Sequence, residues 1–215
     1  MRFSSALLVA ALPALAAAIP LSARDNDSYK KESHDDSYKM DSHGDAMKDM
    51  GSNIFDFSST YVAYASPDQV IANNQTAAPG EEGASGVFRY GIVASEEVIC
   101  YSIAVEISGD YQSPANTATH IHEAVFGRAG PPRIAFPNPT SDSPIDEFGR
   151  RTSYGCLKGP FTTGVVTNGT DSAEGFSLSQ IEANPPAFFT DTHTVAFPAG
   201  AIRGQLELAS TTYNK

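Results

Sequence analysis

Ile99-Cys-Tyr-Ser-Ile-Ala-Val-Glu-Ile-Ser108 alternates without a break. Successive strand residues point to opposite faces, so Ile99, Tyr101, Ile103, Val105 and Ile107 share one side and Cys100, Ser102, Ala104, Glu106 and Ser108 the other. Period-two patterning of this length predicts a half-buried β-strand. Working outward, further strands are expected at 61–64, 86–93, 118–126, 133–136, 154–157, 187–197 and 201–208. Segment 176–181 reads as another strand, with one helical turn over 177–183 as the alternative. Turn clusters such as Ser141-Asp-Ser-Pro144, Asn168-Gly169 and Asn184-Pro-Pro186 separate them. Short strands without helical crossovers predict an all-β domain over residues 54–211, an antiparallel β-sandwich or Greek-key barrel. The chain has no tryptophan, so Phe and Tyr must fill its core.

Residues 1–18 read as a signal peptide. Arg2 supplies the positive start, Ala6 to Ala18 an apolar run, and Ala16-Ala17-Ala18 the small-residue cleavage pattern. No later stretch reaches the length and apolarity of a transmembrane helix. Residues 19–53 lose aliphatic residues and repeat a nonamer: DSYKKESHD at 27–35, DSYKMDSHG at 36–44 and a decayed DAMKDMGSN at 45–53. Such a segment has no apolar periodicity to offset the entropy of ordering and reads as a disordered acidic tail. Its His34, His43, Met40, Met47 and Met50 suit weak copper capture. The plainer interpretation is a solvating spacer multiplied by repeat expansion.

Export fits the remaining composition. Cys100 and Cys156 are the two cysteines and most simply form one disulfide. Asn26, Asn74 and Asn168 open glycosylation sequons. A net charge of −11 with no basic stripe argues against nucleic acid. The chain is therefore expected to be extracellular, free or associated with cell wall.

Three of the five histidines lie in Thr119-His-Ile-His-Glu123 and Thr192-His-Thr194. His120 and His122 share a strand face, and His193 shares one with Phe189, Asp191, Val195 and Phe197. If the two strands are neighbours, the imidazoles form a facial three-nitrogen set suited to copper or zinc, with an open fourth position. Asp191 or Glu123 would orient a ring from behind. The alternative is a core network, with the rings satisfied by backbone carbonyls and by Thr119, Thr192 and Thr194. Other chemistry finds little support. There is no G-x-S-x-G elbow, no phosphate-binding glycine loop and no unpaired thiol, and Glu123, Asp146, Glu147 and Asp191 read as solvated loop acids rather than a glycosidase pair.

The order H-I-H, Ala129-Gly-Pro-Pro132, H-T and then Ile202-Arg-Gly-Gln-Leu206 resembles the CHRD domain over roughly residues 58–210. That resemblance implies an immunoglobulin-like or superoxide-dismutase-like sandwich in a secreted, fungal-like protein, and no single established activity. The family's acidic residue before I-R-G-Q is Ala201 here, so Arg203 needs another partner, for which Glu207 is the candidate. His120-Ile-His122-Glu-Ala-Val-Phe-Gly127 with Ala129-Gly-Pro131 also looks like the copper-site stretch of Cu/Zn superoxide dismutases. Pro132 and Arg133 stand where that family's bridging histidine would be, and its zinc ligands have no counterparts. The sequence thus supports an extracellular, non-catalytic module that contacts a glycan, cell wall or protein through sandwich-end loops. The alternative is a copper or zinc protein using His120, His122 and His193, with copper-only dismutase activity as a third and more distant reading.

Overall fold

The computed structural model describes residues 56–141 and 149–211. The expected signal peptide at 1–18, the repeat segment 19–53 with its histidines and methionines, Asn26, Asp146 and Glu147 lie outside the described residues. Two antiparallel sheets face each other. The first holds β1 (Ser59–Ala65), β2 (Ser85–Val93), β3 (Val98–Glu106), β6 (Arg150–Lys158) and β11 (Glu207–Thr211), in the order β11-β1-β2-β3-β6. The second holds β4 (Thr119–Glu123), β5 (Pro132–Phe136), β9 (Phe188–Thr192) and β10 (Ile202–Gln205), in the order β10-β9-β4-β5. A small hairpin, β7 (Val166–Thr167) and β8 (Thr170–Asp171), turns at Asn168-Gly169, where both residues adopt positive φ. The expected all-β sandwich is what forms.

The alternating stretch behaves as its pattern demands. Ile99, Tyr101, Ile103 and Val105 of β3 point inward, and Tyr61, Phe88, Tyr90 and Ile92 join them from β1 and β2. Ile121, Ile134, Phe136, Phe188 and Ile202 face them from the second sheet. Phe136 sits between Tyr90 and Tyr101, with ring centroids 5.3 and 5.0 Å away. The buried Tyr90 hydroxyl meets Thr190 Oγ1 at 2.8 Å, and the Thr190 hydroxyl donates to the His120 carbonyl at 2.7 Å. This hydrogen-bonded chain passes from the core to the backbone beneath the histidines. Cys100 and Cys156 lie directly opposite on β3 and β6 and are joined by a disulfide.

Two expected strands end early. Segment 118–126 keeps strand geometry only over Thr119–Glu123, and 187–197 only over Phe188–Thr192. Segment 176–181 is helical: α1 spans Leu178–Ala183. Leu178 and Ile181, three apart and therefore on one helical face, are both fully buried. Gln180 Oε1 accepts from the Ser177 amide at the helix start, and Pro185-Pro186 follows its end.

Segment 201–208 is not one strand. It breaks at buried Leu206, leaving β10 in one sheet and β11 in the other. Arg203 and Glu207 therefore do not share a strand face, and the Arg203 guanidinium instead lies 3.5 Å over the Phe189 ring.

Each residue of the I-R-G-Q-L run has a physical task at this joint. Ile202 fills the core, and Arg203 exchanges backbone hydrogen bonds with Ser66 just past β1. Gly204 passes so close to β1 that a Cβ would lie 2.7 Å from the Tyr64 carbonyl oxygen. Gln205 Nε2 sits within 2.9 Å of the carbonyls of Ala124, Pro186 and Phe188. Gly204→Ala should therefore destabilise the fold by roughly 1–3 kcal/mol through overpacking against backbone. An unchanged denaturant midpoint would show that this approach is looser than described.

Candidate metal centre

The outer face of the second sheet carries the chemistry. Cα partners across β4, β9 and β10 place His120, Asp191 and Arg203 in one row, and His122, Phe189 and Gln205 in the next. His193 follows β9 by one residue, two positions from Asp191 on the same side. Residues of this face that would normally meet water are buried: His120 is 1 %, Asp191 4 % and Arg203 3 % exposed.

The three imidazoles surround one carboxylate. His120 Nδ1 lies 3.4 Å and His122 Nε2 3.2 Å from Asp191 Oδ1, and His193 Nε2 lies 3.1 Å from Asp191 Oδ2. One ligand atom from each of the four residues can be chosen so that all lie within 4.8 Å of one another. Each ring's other nitrogen meets a main-chain carbonyl: His120 Nε2 that of Thr117 at 2.7 Å, His122 Nδ1 that of Gly130 at 2.8 Å, and His193 Nδ1 that of Pro198 at 3.1 Å.

A carbonyl only accepts, so these outer nitrogens are the N–H donors. In each neutral ring the inner nitrogen is then the unprotonated one, its lone pair turned toward the carboxylate. His120 Nδ1, His122 Nε2 and Asp191 Oδ1 are buried and make no aligned hydrogen bond. Ligand atoms about 2.1 Å from a tetrahedral ion stand about 3.4 Å apart, close to the three nitrogen-to-carboxylate separations, while the set as a whole spans up to 4.8 Å, so the rings would draw together around an ion.

The charges are coupled. Burial alone would raise the Asp191 carboxyl, but the His122 and His193 imidazoles outweigh it and hold the group well below the usual carboxylate range. Burial lowers the His120 imidazole, and Asp191 offsets this only in part. At His193 burial also lowers the value, yet the Asp191 charge prevails and raises it. Arg203, stacked on Phe189, adds a buried positive charge on the far side of Asp191, and burial pulls it below its ordinary value. The His122 ring stacks on the same Phe189, 4.8 Å away and nearly parallel.

The expected trio is thus brought together, and Asp191 sits at its centre rather than behind one ring. Glu123 is elsewhere: it pairs with Arg133 at 2.7 Å, and the Arg133 guanidinium also donates to the Ser172 carbonyl. The sequence signal for Asp191 was its two-residue spacing from His193 on a shared strand face. The three carbonyl tethers had no such signal, because they come from loops.

A cleft of about 560 Å³ opens in front of the rings and touches His120, His122 and His193. A second groove of about 500 Å³ runs over the outer face of the first sheet, beside Phe57, Tyr64 and Arg89, without a comparable convergence of buried polar groups. No curated protein and no solved structure matches the chain. The family model described as the CHRD domain matches residues 66–206, which takes in the strands β2 to β10, all four residues of the cluster and the I-R-G-Q-L joint, and the chain belongs to the CHRD domain family.

Proposed function

We propose that this CHRD protein is an exported module that binds copper or zinc through His120, His122, His193 and Asp191. The observation that carries the reading is the tautomer lock. Three loop carbonyls fix three N–H groups outward, so three ring lone pairs and a carboxylate face one another in a buried space. With the rings neutral these four acceptors repel; a proton on an inner nitrogen relieves them at lower pH, and a divalent ion does so with ligand types that copper and zinc favour. The carbonyl tethers are the outer-sphere support that ligating histidines usually have.

Export rests on the leader-like residues 1–18, the disulfide and the sequons. Asn74 and Asn168 are both exposed and open to glycosylation. Among the described residues no helix is long and apolar enough to cross a membrane.

Full-length protein carrying His34→Ala and His43→Ala, which removes the tail imidazoles, is the sample for the test. It should retain one equivalent of copper or zinc after dialysis. At free metal about 100 times Kd, it should gain roughly 2.7 kcal/mol of unfolding free energy. Absence of both retention and stabilisation would leave the histidines as a core network.

A further inference from the structure

We infer that the ion in this cluster keeps one coordination position facing the cleft, and that the cleft delivers to it a small monoanion such as a monocarboxylate with an uncharged body. The inference rests on the metal reading above. Its first support is the sidedness of the site. Asp191 is buried and does not line the cleft, whereas all three histidines do. An ion held by the four residues is therefore closed off by protein on the carboxylate side and open on the other. Both copper and zinc accept a fifth ligand beside four from protein.

The second support is the chemistry of the walls. Ala72, Pro114, Ala115, Pro131, Val165 and Pro198 supply most of the apolar lining. Among the described residues no Lys, Arg, Asp or Glu lines the cleft, and no aromatic ring other than the imidazoles does. Ser172, one of the few hydroxyls there, already donates to the Pro132 carbonyl at 2.6 Å. Besides the imidazoles the polar side chains of the wall are Asn73, Ser113, Thr167 and Ser172, all uncharged, and without an aromatic ring the walls offer a sugar ring no stacking surface. The strongest recognition element in the cleft is the ion itself. A divalent ion with three neutral imidazoles and one carboxylate retains a net single positive charge, which low-dielectric walls amplify and which one anionic group would neutralise. A second charge on the ligand would find no partner. The volume exceeds what an inorganic anion fills, leaving room for an attached apolar body.

The experiment uses the full-length His34→Ala/His43→Ala chain with one equivalent of Cu(II), followed by electron paramagnetic resonance and visible absorption. Azide should add an azide-to-copper charge-transfer band and shift the copper hyperfine coupling, and benzoate should compete with it. Ala115→Trp, which narrows the cleft, should keep copper and azide binding but weaken benzoate about tenfold or more. Ala199→Trp, at another small residue of the lining, repeats the test should the first variant fold poorly. A copper spectrum indifferent to azide and benzoate would overturn the open position. Benzoate binding untouched by either tryptophan would overturn the cleft as its route. Failure to take up copper at all is a different result, and it removes the metal reading on which this one stands.

Discussion

Alanine at His122 is expected to cost the protein most of its high-affinity copper or zinc, a loss of more than about a hundredfold in affinity. Removing an outer-sphere partner of a metal site typically costs 10–100-fold, and His122 would be a direct ligand. His120→Ala and His193→Ala should do the same, since each ring is held to the cluster by its own carbonyl tether. Asp191→Asn keeps an oxygen but drops the charge that the three imidazoles share, so it should fall roughly in the 10–100-fold range. Isothermal titration of the folded variants with copper and zinc measures all four, with copper binding the tighter of the two by the usual order of divalent affinities. A core network gives the opposite pattern. The same substitutions would then cost roughly 1–3 kcal/mol of stability for each buried partner left unsatisfied, and the unsubstituted protein would bind no metal to lose.

Reduction of the Cys100–Cys156 bridge should lower unfolding free energy by about 4 kcal/mol. The cysteines are 56 positions apart, so the bridge closes a long loop and removes much of the freedom of the unfolded chain. The bridge also connects residues that the sheet already places opposite each other, so the folded state needs no rearrangement without it. The effect should therefore appear mainly in the unfolded state. Equilibrium denaturation of Cys100→Ser/Cys156→Ser against the oxidised protein would show a lower midpoint, and the steeper denaturant dependence of a chain that exposes more surface. A difference below about 1 kcal/mol would mean that the reduced unfolded chain is already compact around these strands.

Much of this was legible because strand chemistry is local. The alternation from Ile99 to Ile107 gives β3 its inward face directly, and H-x-H places two imidazoles side by side with no knowledge of the fold. Pairing His193 with them required β4 and β9 to be neighbours, which sequence could state only as a condition. Leu206 shows the limit. Residues 201–208 look like one strand because each half is, but the break depends on which core Leu206 fills. Segment 176–181 was ambiguous for a related reason: Leu178 and Ile181 fit a short helical face as well as a strand, and burial decided. The loop carbonyls of Thr117, Gly130 and Pro198 carry no side-chain signature at all, yet they set the tautomers on which the metal reading depends. Arg203 found Phe189 rather than Glu207 because a stacking partner across two strands is not readable from spacing along one.

The strand order of the first sheet has a consequence for how the molecule is made. β1 is among the earliest segments of the domain to be synthesised, and one of its two neighbours, β11, is the last strand. During vectorial emergence β1 can pair with β2, and β2 with β3, but the other edge of β1 stays bare until β11 emerges, a template for unwanted strand addition. Ile202 and Leu206 likewise reach the core only then. A nascent chain stalled before residue 202 would therefore hold an assembled hairpin and an open sandwich. Were the chain exported as proposed above, and unfolded in transit, the step that closes the domain would wait until β11 had crossed.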